Sequence, residues 1–266
     1  MDGAVLVTGG ARRIGYAISI SLASHGYHVV IHTRKHDTDV GLVKSEIEAL
    51  GVRCIVVEGN LDDTASVTKI FEDTITSLSK IDIPLVGLVN SASMFRWDDP
   101  SNVNSQSMVD HYRVNAIAPI LLSQMLYDFS MSRSSDSEEK TPSCIVNILD
   151  QKLNSPHPDH FSYTLSKQAL SGANVMMAMA YAPFCRVNSV SPGHVLPSPD
   201  QTPEGFEKAQ SQSPLGYGPS PGDIAEAVTF LFRSKSITAQ SLTVDAGEHL
   251  LGRTRDVVFE TEGLDD

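Results

Sequence analysis

The sequence predicts a single α/β domain: a seven-stranded parallel sheet with helices on both faces. Three observations carry this reading. Apolar, β-rich runs alternate with helical patterns along all 266 residues. The first run leads through a glycine-rich turn, "TGGARRIG" (8–15), directly into a helical pattern. No internal repeat or shift in composition divides residues 1–266 into two units.

The elements follow in order. "GAVLVT" (3–8) reads as a strand, and "RIGYAISISLASHG" as a helix closed by Gly26. "YHVVIHT" (27–33) is the second strand. "VGLVKSEIEALG" is a helix ending at Gly51, and "VRCIVVEG" the third strand. "DTASVTKIFEDTITSLSK" reads as a helix and "PLVGLVN" (84–90) as a strand. One long helix is expected over about 105–129. "SCIVNILD" (143–150) is a strand, residues 161–182 a helix, and "CRVNSVSPG" (185–193) a strand with its turn. "GDIAEAVTFLFRS" is the last helix and "SLTVDAG" the last strand. Strands joined through helices pair in parallel, and the helices cover both faces. The crossovers are expected to be right-handed.

Three segments break the alternation. Residues 132–143, "SRSSDSEEKTPS", are polar and read as a surface loop. Residues 194–222 contain six prolines and read as a loop over the substrate. The tail, 251–266, is acidic; it reads either as a solvated end or as an arm reaching a neighbouring subunit.

Bulk properties narrow the function. Hydrophobic content is 41%, ordinary for a soluble globule. No stretch approaches the ~20 apolar residues of a membrane helix. The chain runs into "GAVLVTGG" without a basic start or a small-residue cleavage site, so no signal peptide is expected. Three distant cysteines, Cys54, Cys144 and Cys185, fit reduced buried thiols in a cytoplasmic protein. No metal-ligand spacing is present, and no metal is expected. His157 and His160 lie in a proline-containing loop without a carboxylate partner in view. A net charge of −12 argues against nucleic acid or anionic membranes as partners. Residues 1–36 run against that balance: Arg12, Arg13, Arg34 and Lys35 face only Asp2. A local cationic site in an acidic protein points to a small anionic ligand.

The glycine-rich turn says where that ligand sits. Gly9, Gly10 and Gly15 lie between the first strand and first helix. There a Rossmann unit brings backbone N–H groups and a helix N-terminus to a pyrophosphate. Arg12 and Arg13 stand at that N-terminus, with Ile14 beside them; cations there are unfavourable unless an anion intervenes. The second strand ends in "HTRKH", with Arg34 and Lys35 where a carboxylate would select NAD. Cations suit a 2′-phosphate, so NADP(H) is the expected cofactor.

"FSYTLSKQAL" places Tyr163 and Lys167 four residues apart, on one face of a helix. A lysine ammonium beside a phenol lowers its pKa and eases proton transfer.

These pieces together resemble the short-chain dehydrogenase/reductase family over residues 3 to about 250. The matching segments are "TGGARRIG", "VNSASMF", "VNAIAP", "YTLSK", "SPGHV" and "LTVDAGEHL". The resemblance implies hydride transfer with a nicotinamide cofactor and usually a homotetramer. It implies that Asn90 and Ala92 border the cofactor and that Asn115 supports a proton relay. Tyr163 matches the proton donor; Lys167 matches the residue that binds the nicotinamide ribose. Pro192 and Gly193 match the turn beside the nicotinamide. Asn60, followed by Leu61, stands where many members carry an aspartate near adenine.

Two positions depart from the family pattern. Arg13 replaces the middle glycine, and Asp150 replaces the catalytic serine, thirteen residues before Tyr163. Both departures resemble the pteridine reductases and the dihydromonapterin/dihydrofolate reductases of that family. Phe95 matches the aromatic that stacks a pterin opposite the nicotinamide. The chemistry agrees. An ionised aspartate repels a developing oxyanion, whereas a pterin offers N–H and amino donors that a carboxylate accepts. Asp150 also favours the neutral phenol of Tyr163. Arg13 is placed to meet a cofactor phosphate and a pterin acceptor together. The expected substrate is a dihydropteridine or a folate-like compound, bound by Phe95, Arg13, Asp150 and Tyr163. Two alternatives stay open: a reductase of a ketone or alcohol, and a catalytically silent NADP-binding regulator. Asp150 and Phe95 speak against the first, and the Tyr163–Lys167–Asn115 set against the second.

Overall fold

A computed structural model describes residues 3–35, 38–133, 141–198 and 201–262. Seven strands form one sheet: β1 (Ala4–Thr8), β2 (His28–Thr33), β3 (Cys54–Glu58), β4 (Leu85–Asn90), β5 (Ser143–Ile148), β6 (Cys185–Pro192) and β7 (Ser241–Val244). All pairings are parallel, in the order β3-β2-β1-β4-β5-β6-β7. The helices are α1 (Arg13–Ser24), α2 (Thr38–Ala49), α3 (Thr64–Ser79), α4 (Ser105–Tyr112), α5 (Ala118–Arg133), α6 (Phe161–Tyr181), α7 (Pro203–Ser211), α8 (Pro221–Arg233) and α9 (Val257–Thr261).

The period-two pattern of β1 shows why the sheet is covered twice. Val5 and Val7 belong to one core, with Ile18 and Leu22 of α1 and Val228 of α8. Ala4 and Leu6 belong to the other, with Ile70 of α3, Leu122 of α5 and Met177 of α6. Every residue of β1, β5 and β6 is buried, as strands with helices on both faces require. Side-chain caps set several helix starts. Asp63 accepts from Ala65 at α3, and Asn104 from Ser107 at α4. Ser220 and Asp223 form a reciprocal capping box behind Pro221 at α8.

Three expectations need correction. The helix expected at 105–129 is α4, a π-helical turn (Arg113–Ile117) and α5. Pro119 has no N–H for the Asn115 carbonyl, so the regular ladder cannot run through this point. The π turn carries the chain across, with Ala118 N–H donating to the Arg113 carbonyl. The loop expected at 194–222 contains α7, started by Thr202, whose hydroxyl accepts from Gly205, and by Pro203. The tail is not a solvated arm over its described part. Gly252 follows a short 3-10 turn (Glu248–Leu251), and α9 folds back with Val257 buried. Residues 263–266 and most of the expected loop at 132–143 lie outside the described residues. Among the described residues no helix is long and apolar enough to cross a membrane.

Candidate active site

The strand order reverses at β1 and β4, so the loops leaving their carboxyl ends diverge and open a crevice. A cleft of about 570 Å³ lies there. Its wall comes from four strand ends: Gly9, Arg12, Arg13, Ile14 and Gly15 after β1; Ala92 after β4; Asp150 after β5; Pro192 and Gly193 at β6. Phe95, Tyr163 and Lys167 complete it.

The turn after β1 is built for close approach. Gly9 has φ +65°, and a side chain there would press on Ala92. A Cβ on Gly15 would lie 2.2 Å from the Gly9 carbonyl oxygen. Arg13 has φ +51°, so it retains the left-handed backbone that suits a glycine. Its guanidinium donates to the Pro197 carbonyl at 3.3 Å, spanning from the turn to the segment after β6. Arg12 lies 3.6 Å from Asp39 in an exposed ion pair. His32, fully buried at the end of β2, ties the turn down. Its Nδ1 accepts from Gly9 N–H at 3.3 Å, and its Nε2 donates to the Gly59 carbonyl at 3.1 Å. Burial lowers its pKa and keeps it neutral.

Asp150 anchors the chemical end. It caps the short 3-10 turn Gln151–Asn154, with Oδ1 accepting from Lys152 N–H at 2.8 Å. Its Oδ2 accepts the Tyr163 hydroxyl at 2.7 Å. Burial and the Asp150 charge raise the Tyr163 pKa well above the usual phenol value, and their hydrogen bond adds to this. Lys167 is buried, and desolvation pulls its pKa down to about 8 against the pull of Asp150. Its ammonium donates to the Ile148 carbonyl at 2.7 Å and lies 5.8 Å from the Tyr163 ring centre. The lysine effect expected from the sequence is therefore outweighed: the phenol oxygen faces a carboxylate, and Tyr163 is held protonated. Phe95 is half-exposed, edge-on to Tyr163 at 4.8 Å and stacked on His160 at 4.0 Å.

Other residues named from the sequence lie outside the cleft wall. The Asn90 amide donates to Asn147 at 2.8 Å inside the core. Asn115 is fully buried on the π turn. Its Oδ1 accepts from Met94 N–H at 2.7 Å, and its amide donates to the Met94 carbonyl and Ser166 hydroxyl. It thereby clamps the strand end before Phe95 to the helix bearing Tyr163. Arg34 and Lys35 are exposed just beyond β2, and Asn60 and buried Leu61 follow β3. Trp97 packs against His160 and Phe259, and Arg96 pairs with Asp110.

Sequence reading missed Asp98. His160, at the start of α6, provides no side-chain cap. Asp98, buried and distant in sequence, accepts from Ser162 N–H at 2.9 Å and from the hydroxyls of Ser162 and Ser107. These bonds hold its carboxyl below the usual range, against desolvation, which pushes the other way. Asp98→Ala should lower stability by about 1–3 kcal/mol, since it strands buried donors at the start of the Tyr163 helix. Thermal denaturation tests this; an unchanged melting temperature would show that the cap is dispensable.

Known proteins place this architecture. A family model described as "Enoyl-(Acyl carrier protein) reductase" matches residues 9–249. Dihydromonapterin reductase of Escherichia coli is 25% identical over 247 residues, 92% of this chain and 96% of that one. FolM alternative dihydrofolate reductase 1 of Brucella canis, solved with NADP, has 34% identity and a TM-score of 0.81, covering 94% of this chain and 95% of its own. Its counterpart from Brucella suis, also with NADP, has 35% identity and a TM-score of 0.83, covering 96% and 98%. The chain belongs to the short-chain dehydrogenase/reductase family of NAD(P)-dependent oxidoreductases, alongside its dihydromonapterin and alternative dihydrofolate reductases.

Proposed function

We propose that the protein is an NADPH-dependent pteridine reductase, with Tyr163 as proton donor. One observation carries this reading: the 2.7 Å bond from the Tyr163 hydroxyl to Asp150, beside Phe95 in the cleft. A phenol held protonated serves reduction, in which the substrate gains a proton. A carboxylate at this place accepts from the amino and N–H groups of a pterin ring. It disfavours a ketone, whose oxygen becomes negative during reduction.

The cleft fits a dinucleotide. Gly9 and Gly15 leave a cradle that side chains would fill, at the N-terminus of α1. Gly9, Arg12, Arg13, Ile14 and Gly15 would hold the phosphates. Ala92, Lys167, Pro192 and Gly193 would border the nicotinamide half, with Asn90 behind them. Arg34 and Lys35 would meet a 2′-phosphate, and Asn60 and Leu61 the adenine end. NADPH, when bound, supplies the hydride. Asp150 orients the substrate through its donor groups, and Phe95 covers the ring. Tyr163 passes its proton to a substrate atom that displaces Asp150 as acceptor. Lys167 positions the ribose, and Asn115 holds the Phe95 segment and α6 in register. A homotetramer remains the expected assembly.

Loss of NADPH absorbance with dihydrobiopterin, dihydrofolate and a simple diketone tests this reading. Turnover confined to the pteridines is expected; turnover of the diketone alone would overturn it. Cofactor choice is tested separately. Wild type should prefer NADPH, and Arg34→Asp should lose that preference by about ten- to a hundredfold. A charge-assisted bond to phosphate is worth about 1.5–3 kcal/mol. Equal efficiency of wild type with NADH and NADPH would refute the assignment of Arg34 and Lys35.

A further inference from the structure

The opposite end of the sheet carries a second opening. A cavity of about 420 Å³ lies at the amino ends of the strands and shares no lining residue with the cleft at their carboxyl ends. Val86, Cys144 and Arg186 line it, each the second residue of its strand, β4, β5 and β6. Tyr27, just before β2, and Phe232 and Arg233, at the end of α8, complete it. Cys144 pairs with Arg186 in register. Phe232 seats here because Gly87 makes room: a Cβ at Gly87 would lie 2.3 Å from its ring. Asp150 follows Cys144 at the far end of β5, about 20 Å away along an extended strand.

Two buried side chains give the cavity its character. Tyr27 is 6% exposed, and its ring meets Phe232 edge-on at 5.7 Å. Its hydroxyl has no hydrogen-bond partner among the described residues, yet it is not sealed in the core as the unpartnered atoms of Asn90 and His157 are. A phenol O–H that opens on a cavity without a partner is available to an occupant. Arg186 is 8% exposed. Its Nη1 donates to the Leu231 and Ile237 carbonyls at 3.0 Å, and its Nη2 to the Phe232 carbonyl at 3.2 Å. These bonds fix the guanidinium at the C-terminal end of α8, whose dipole offsets only about half a charge. Among the described residues no carboxylate pairs with it.

The charges say what kind of occupant fits. Arg233 and Lys235 add two exposed cations at the rim, and among the described residues no carboxylate lines the cavity. In a chain of net charge −12, that concentration of positive charge selects an anion. Burial raises the Tyr27 pKa, Cys144 adds to this, and the Arg186 and Arg233 charges oppose it. The hydroxyl therefore stays a donor, and both cations act at the same place. A phosphate dianion is poorly served. The helix end here is a C-terminus, with a negative partial charge, and among the described residues no helix N-terminus lines the cavity. Val86 and the corner formed by the Tyr27 and Phe232 rings are apolar, and the volume is that of a small-molecule site.

We propose that this cavity is a second ligand site, and that it takes an aromatic monocarboxylate. The ring lies against Phe232 and Val86. The carboxylate accepts from the Tyr27 hydroxyl and faces Arg186 and Arg233. The site is separate from cofactor and substrate binding and does not depend on the pteridine reading.

The test titrates 1-naphthoate into the full chain by calorimetry, with and without saturating NADPH. 1-Naphthylmethanol, the ring without the charge, and inorganic phosphate, the charge without the ring, are the controls. Naphthoate should bind with a Kd of about 1 mM or below, the affinity expected of about thirteen non-hydrogen atoms. Each control should bind at least about tenfold more weakly, and NADPH should leave the naphthoate Kd unchanged. Tyr27→Phe removes only the hydroxyl and should weaken naphthoate by about tenfold, the worth of a hydrogen bond to a charged group. Arg233→Glu, at an exposed position, should weaken it by about fivefold or more. Arg186 is left in place because it holds the end of α8. Melting curves establish that the variants fold, and either variant alone decides the question. Absence of naphthoate binding, equal binding of either control, or wild-type affinity in a folded variant overturns the site. Displacement of naphthoate by NADPH or by dihydrobiopterin places it in the catalytic cleft and overturns the site as well.

Discussion

Tyr163→Phe is expected to lower kcat for dihydropteridine reduction by about 10²- to 10⁴-fold, the usual contribution of a positioned general acid. NADPH affinity should stay near the wild-type value, because Lys167 keeps its own anchor on the Ile148 carbonyl. The ring keeps its edge contact with Phe95, since only the hydroxyl is removed. The loss should therefore appear in kcat and in kcat/KM alike, the pattern of an interaction made in the transition state. The variant also deprives Asp150 of the hydrogen bond at 2.7 Å, freeing its Oδ2 for the substrate. KM should then hold or fall. Single-turnover kinetics with bound NADPH are the decisive measurement. A variant that turns over within a few-fold of wild type would remove Tyr163 from the proton transfer.

Asp150→Ser should cost about ten- to a hundredfold in kcat/KM for the pteridine, through a lost charge-assisted contact of about 1.5–3 kcal/mol. Serine can still cap the 3-10 turn at Gln151–Asn154, so the backbone needs no rearrangement. What changes is the charge. Without it, the Tyr163 pKa should fall from its raised position, since the Asp150 charge and the hydrogen bond to Asp150 both hold it up. The alkaline limb of the pH profile of kcat/KM should move to lower pH accordingly. Any ketone activity should rise or stay level, because a developing oxyanion no longer meets a carboxylate. The ratio of the two efficiencies in wild type and variant separates the cases. If pteridine reduction is untouched, Asp150 is a bystander and the substrate class must be reassigned.

Much of this was legible in the chain itself. Alternating apolar and amphipathic runs require a two-faced parallel sheet, because each buries its apolar surface only against the other. The turn at 8–15 was legible as a tight strand-to-helix turn, since only a chain without side chains at Gly9 and Gly15 can fold that closely. Tyr163 and Lys167 were visible as a pair because four-residue spacing on a helix is a local property, whereas Asp150 stood out only through the resemblance to the family pattern.

Other features were decided by tertiary structure alone. The π turn at Arg113–Ile117 is marked in the chain only by Pro119, which interrupts a regular ladder without saying what geometry replaces it. Asp98 caps α6 from 64 residues away. The C-terminal segment reads as a polar tail, yet it folds back until Arg255 and the Asp256 N–H meet Asp159. The polarity of Tyr163 itself was settled in three dimensions. The sequence by itself determined the fold class, the tight glycine turn after the first strand and the shared helix face of Tyr163 and Lys167, because these follow from local spacing and side-chain chemistry. Only the tertiary structure decided that Asp150 outweighs Lys167 at the phenol, because pKa values depend on burial and through-space distance.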